Sequence, residues 1–126
     1  MQDYNEAIEL NPKNAGAYIN RGNVKFELGD IRGAVQDLNK TIELDPKDAG
    51  AYYNRGILKK KLSDIQGAMQ DFNKVIELNP KFARAYGHRG LLKEQLGDLK
   101  GACADWSKAG ELGDMAAYDL IKKYCK

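Results

Sequence analysis

Residues 15–48 read AGAYINRGNVKFELGDIRGAVQDLNKTIELDPKD, and the next stretch, 49–82, reads AGAYYNRGILKKKLSDIQGAMQDFNKVIELNPKF. The two align without a gap and share 22 of 34 residues. Residues 83–116 continue in the same frame. Fourteen positions are identical in all three units, among them Tyr18/Tyr52/Tyr86, Gly22/Gly56/Gly90, Leu28/Leu62/Leu96 and Ala34/Ala68/Ala102. Self-similarity at a fixed period of this size marks an array of one small unit that cannot bury its apolar face alone and must stack on its neighbours.

Each unit reads as two helices. In the first, Ala17, Arg21, Val24 and Leu28 recur at spacings of three and four, the period of one helical face. Gly29-Asp30 then interrupts it, with a glycine suited to the C-cap and an aspartate suited to the next N-cap. The second helix carries Ile31, Ala34, Leu38, Ile42 and Leu44 and ends at Asp45-Pro46; the second unit ends alike at Asn79-Pro80. Proline cannot continue a helix and biases the residue before it away from helical angles. Gly22, Gly56 and Gly90 fall inside the first helices, where glycine costs about 1 kcal/mol against alanine. Close helix–helix contact is the expected return, with Leu38, Phe72 and Trp106 filling the facing space.

An aromatic at position 4 of each unit, Gly at 8, Ala at 20, a bulky residue at 24, a small one at 27 and Pro at 32 together resemble the tetratricopeptide repeat family. The resemblance covers essentially the whole chain. It implies an all-α fold, a right-handed superhelical solenoid of antiparallel helix pairs, in a single domain over residues 1–126. Within it, 1–14 matches the second helix of a truncated repeat, with Tyr4, Ala7 and Pro12 at positions 24, 27 and 32. Full repeats follow at 15–48, 49–82 and 83–114. The third departs from the pattern at Gly110 and Asp114, as a unit does that hands over to something other than a further repeat. Residues 115–126 are expected to form a capping helix, with Lys122, Lys123 and Lys126 as its polar face.

Arginine recurs at position 7 (Arg21, Arg55, Arg89) on a stripe that should be apolar, and aspartate recurs at position 23 (Asp37, Asp71, Asp105). A charge on a packed face is costly unless it is paired. The matching periods therefore predict the pairs Arg21–Asp37, Arg55–Asp71 and Arg89–Asp105, in preference to an arginine row that binds an acidic ligand.

The resemblance also implies a concave groove lined by the first helices. Its family positions fall here on Ile19, Asn20, Asn23 and Phe26, then Tyr53, Asn54, Ile57 and Lys60, then Arg84, His88 and Leu91. Asparagine amides can both donate to and accept from a peptide backbone, while Phe26, Tyr53 and Ile57 offer apolar contact. One branch of the family grips chaperone tails with a carboxylate clamp. This chain keeps Asn23 and Asn54 of that clamp, has Arg84 for a lysine and His88 for an arginine, and carries Ile19 where a lysine belongs. That pattern argues against a true clamp and leaves open a weaker preference for acidic or C-terminal peptides.

Twenty basic against 18 acidic residues, net +2, give no concentrated field for nucleic acid or a membrane surface. No apolar run reaches the roughly 20 residues of a membrane span. Neither a cofactor nor a metal is expected, and no serine, cysteine or carboxylate is placed by the repeat to make His88 a catalytic base. Cys103 and Cys125 are expected as two separate half-buried thiols, although a bridge between the last repeat helix and the cap is open to them. A cytoplasmic setting is favoured, but the frame opens inside a unit, so a targeting segment can precede residue 1. The function expected is a non-enzymatic scaffold that binds a protein or peptide. The alternatives are a self-assembly module that completes its N-terminal half-repeat with a second subunit, and an accessory domain of a larger protein.

Overall fold

The computed structural model describes residues 2–125. Among them lie eight α-helices and no strand: α1 (Gln2–Leu10), α2 (Ala15–Glu27), α3 (Ile31–Leu44), α4 (Ala49–Lys61), α5 (Ile65–Leu78), α6 (Ala83–Gln95), α7 (Leu99–Glu111) and α8 (Ala116–Tyr124). They fall into two compact units, Met1–Ala68 and Met69–Lys126, with the division inside α5.

Local chemistry sets the helix ends. Asn14, Asp30, Asp48 and Asp98 are N-caps whose side chains accept from the amides of Ala17, Gly33, Ala51 and Gly101. Asp64 makes the same bond to Gly67 at 2.9 Å. Each satisfies an amide that has no partner within its helix. The first helix of each unit closes in one way. In α2, Gly29 donates to the Phe26 carbonyl at 2.9 Å and Asp30 to the Lys25 carbonyl at 2.8 Å. This crossed pair requires a left-handed residue between them, and Gly29 has φ +85°. Gly97 repeats it after α6, but after α4 the position is Ser63, held at φ 62°. The second helices stop before Pro46 and Pro80, and the next unit's tyrosine ties each stop down. Tyr52 Oη donates to the Pro46 carbonyl at 3.1 Å and Tyr86 Oη to the Pro80 carbonyl at 3.0 Å.

In the first unit α2 packs on both α1 and α3, and α4 packs on α3. Ala34, Leu38, Ala51 and Leu58 form its core, flanked by Ile31, Val35 and Ile42. In the second unit α7 is covered by α6 on one side and α8 on the other. Its core is Tyr86, Ala102, Trp106, Ala109 and Ala117. Trp106 is fully buried and its indole Nε1 donates to the Gly87 carbonyl at 3.3 Å. A Cβ on Gly90 would stand 2.5 Å from that nitrogen, so here the helix glycine does face the bulky residue of the second helix. Gly22 differs from the expectation: its nearest neighbours are Asp37 Cβ at 3.3 Å and the Ala34 carbonyl at 3.5 Å, not the side chain of Leu38. A branched aliphatic chain does not span the gap that a flat indole fills.

A second expectation is overturned at the end of the chain. Cys103 and Cys125 are joined as a disulfide, with Cα atoms 5.9 Å apart. The reason is the return path of α8. Tyr118 lies against Gly110 near the end of α7, and Ala117 is buried with Ala109 and Trp106. A helix laid back along α7 from that start brings its last residues to the first turns of α7, where Cys103 sits.

Candidate functional site

Arg21 and Arg89 meet their aspartates as the period predicts. Arg21 donates from Nε and Nη2 to the two oxygens of Asp37 at 2.9 and 2.6 Å. Arg89 does the same to Asp105 at 2.8 and 2.7 Å. Asp37 and Asp105 are buried, and each holds a further cation, Lys25 at 3.2 Å and Lys93 at 3.0 Å. The hydrogen bond to the carboxylate, opposed by burial, raises both guanidinium pKa values above their ordinary range. The remaining arm reaches the preceding repeat. Nη1 donates from Arg21 to Asn5 at 3.0 Å, from Arg55 to Asn39 at 2.9 Å and from Arg89 to Asn73 at 3.1 Å. Each guanidinium also lies about 5.5 Å from the ring centroid of its own unit's tyrosine, Tyr18, Tyr52 or Tyr86. A bidentate fork, an amide and an aromatic face use the guanidinium fully. These arginines are structural.

A second feature of the first helices is the opening between α2 and α4. In the first unit a cavity of about 190 Å³ is lined by Gly22, Asn23 and Phe26 of α2, Leu38 of α3, and Asn54, Ile57 and Leu58 of α4. Four residues expected from the sequence, Asn23, Phe26, Asn54 and Ile57, therefore meet around one opening. Leu38 and Leu58 belong to it as well, each with another face in the core. The absent side chain at Gly22 leaves room for it. Its size exceeds the roughly 150 Å³ of an apolar cavity that accepts a benzene ring. Two amides at an otherwise apolar opening suit a peptide whose side chain enters while its backbone stays outside.

Basic charge gathers beside it. Lys61 Nζ stands 5.8 Å above the Phe26 ring, which is 39% exposed. Lys60 is half-buried, and desolvation, with Lys61 adding repulsion, lowers its pKa. Of the other expected residues in this unit, Ile19 and Tyr53 are half-buried and Asn20 is exposed, none of them lining the cavity. In the second unit Arg84 is exposed. His88 stacks on Phe72 at 5.4 Å with the planes 10° apart, and Leu91 packs against the cluster around Trp106. Among the described residues, no group of three or more His, Cys, Asp or Glu side chains is placed to hold a metal ion.

Comparison with known families agrees with this geometry. The profile described as TPR repeat matches residues 1–29 and 22–63, and that described as Tetratricopeptide repeat matches 49–82. The chain belongs to the tetratricopeptide repeat family, and its fold is that family's all-α solenoid of paired helices. A search of curated proteins finds no match. Among solved structures, MamA superposes with a TM-score of 0.85 at 26% identity, covering 91% of this chain and 68% of its own. The first TPR of Spaghetti (RPAP3), bound to the HSP90 peptide SRMEEVD, gives a TM-score of 0.81 at 26% identity, covering 87% and 89%. MamA 41-end from Desulfovibrio magneticus RS-1 shares the fold at 23% identity and TM-score 0.78, covering 86% of this chain and 62% of its own.

Proposed function

We propose that this chain is a protein-interaction module that binds an extended peptide on the first unit. An apolar side chain of the ligand enters the cavity between α2 and α4, and an acidic group lies beside Lys60 and Lys61. The observation that carries the reading is the convergence of Asn23, Asn54, Phe26 and Ile57 on one opening. The amides then meet the peptide backbone, which carries no sequence information, and the apolar walls with the lysines select the side chains. The peptide-bound state of the Spaghetti domain supports the choice of ligand class, since SRMEEVD combines a methionine with acidic residues. Ile19 and His88, where the family's clamp has a lysine and an arginine, imply a weaker grip on a terminal carboxylate.

Fluorescence anisotropy with labelled SRMEEVD tests this reading. Binding should be weak, in the range of about 10 μM to 1 mM, and should fall about fivefold or more in Asn54→Ala, the loss of a peptide hydrogen bond worth about 1 kcal/mol. A peptide with both glutamates replaced by glutamine should bind less well. Equal binding of the acidic and neutral peptides removes the proposed role of the lysines. Equal binding to wild type and Asn54→Ala removes the cavity.

A further inference from the structure

Cys103 and Cys125 line an open cleft of about 430 Å³ together with Leu99, Lys100 and Tyr124. Both cysteines are only partly buried, so a thiol can reach them from solvent. Lys100, exposed at the cleft, places an ammonium where an incoming thiolate would approach.

The helix that this bond secures has little else to hold it. α8 is nine residues long, and Ala117 is its one buried residue. A helix of that length is marginal by itself in water. Its N-cap, Met115, makes no side-chain capping bond. Leu120, Ile121 and Tyr124 are only partly buried against the Trp106 cluster. The disulfide closes 22 residues of chain, enough loop for the cross-link to favour the docked state by a factor of about 100 or more. Beneath α8 lie Ala109 and Trp106, both fully buried while it is docked.

We propose that Cys103–Cys125 is a redox latch on α8, opened by a dithiol and closed by its disulfide form. In the first step a thiolate of the dithiol attacks Sγ of Cys125. The sulfur–sulfur bond breaks, Cys103 leaves as a thiolate, and a mixed disulfide forms. The second thiol of the reductant then attacks that mixed disulfide, expels the Cys125 thiolate and closes its own ring. Two electrons pass to the protein, the dithiol is oxidised to a disulfide, and its two protons end on Cys103 and Cys125. With the latch open, α8 leaves α7 part of the time and uncovers the apolar surface around Trp106.

Hydrogen exchange read by mass spectrometry tests this on the intact chain, oxidised and then reduced with dithiothreitol. Cys103→Ser/Cys125→Ser serves as the permanently open form. Exchange in residues 116–124 should speed about 100-fold on reduction, while residues 15–61 keep their protection. The double variant should match the reduced protein and ignore dithiothreitol. Unchanged protection of 116–124 on reduction overturns the latch. So does loss of protection through α6 and α7 together, because the bond is then a staple for the whole unit. Two free thiols titrating in protein prepared without reductant also overturn it.

Discussion

Arg89 grips Asp105 with two parallel hydrogen bonds of 2.8 and 2.7 Å, while Lys93 holds the same carboxylate from 3.0 Å. Asp105 is 4% exposed, so its charge depends on these partners. Removing one partner of such a pair leaves a buried charge uncompensated, at about 3–5 kcal/mol. Lys93 softens the loss, so Arg89→Ala should cost about 2–4 kcal/mol in urea unfolding. Arg89→Ala/Asp105→Ala should recover part of it. A double-mutant cycle with purely additive losses contradicts the coupling.

Two glycines in equivalent positions should respond to alanine by different amounts. A Cβ on Gly90 meets the indole of Trp106 at 2.5 and 2.7 Å, and that ring is buried on all sides. Gly90→Ala should destabilise by about 1–3 kcal/mol, as overpacking does. At Gly22 a Cβ would stand 3.3 Å from Asp37 Cβ, a tight contact with a residue that Arg21 holds in place, and this offsets much of the roughly 1 kcal/mol gained in helix propensity. Gly22→Ala should change stability by less than about 1 kcal/mol, yet it narrows the cavity and should weaken peptide binding. Thermal unfolding of both variants decides the matter, and a large loss at Gly22 counts against this packing.

Ser63 occupies the left-handed position that Gly29 and Gly97 hold in the other repeats, at φ 62°. A side chain there costs about 1–2 kcal/mol, and glycine regains much of that at an entropic cost of its own. Ser63→Gly should therefore raise stability by about 0.5–1 kcal/mol with binding unchanged. A lower melting temperature contradicts it.

Lys60 sits where its charge is disfavoured, and desolvation is the larger cause. Its folded pKa lies below the unfolded one, so the folded state releases this proton first as pH rises. This site therefore lowers stability at neutral pH, and the penalty fades as pH climbs toward the ordinary lysine range. Lys60→Met removes the penalty and should flatten the rise in stability as pH approaches the ordinary lysine value. If Lys60 faces an acidic ligand, the same variant binds SRMEEVD less tightly. A variant that is destabilised, or binds equally well, contradicts the assignment.

Much of this was legible before any coordinates, because local chemistry writes it. The period, the breaks at Gly29-Asp30 and Asn79-Pro80, and the pairing of Arg21 with Asp37 follow from residues that recur together. The partners of the third guanidinium arm, Asn5, Asn39 and Asn73, recur just as regularly but read as exposed polar helix positions. Only the packing of one unit on the next reveals what they bind. The disulfide was not legible, because 22 residues of separation say nothing about the return path of α8. Of the residues that line the cavity between α2 and α4, the family pattern points to Asn23, Phe26, Asn54 and Ile57. Leu38 was read as core alone, and the space Gly22 leaves is what turns its other face to the opening.

The opening between α2 and α4 is proposed to take the peptide. Amide chemical shifts of isotopically labelled protein, followed through a titration with SRMEEVD, test it most directly. The largest saturable shifts are expected on Asn23, Phe26, Asn54 and Ile57, with Lys60 and Lys61 following when the acidic residues are present. Saturable shifts around Lys40 of α3, with the four cavity residues unmoved, would contradict it.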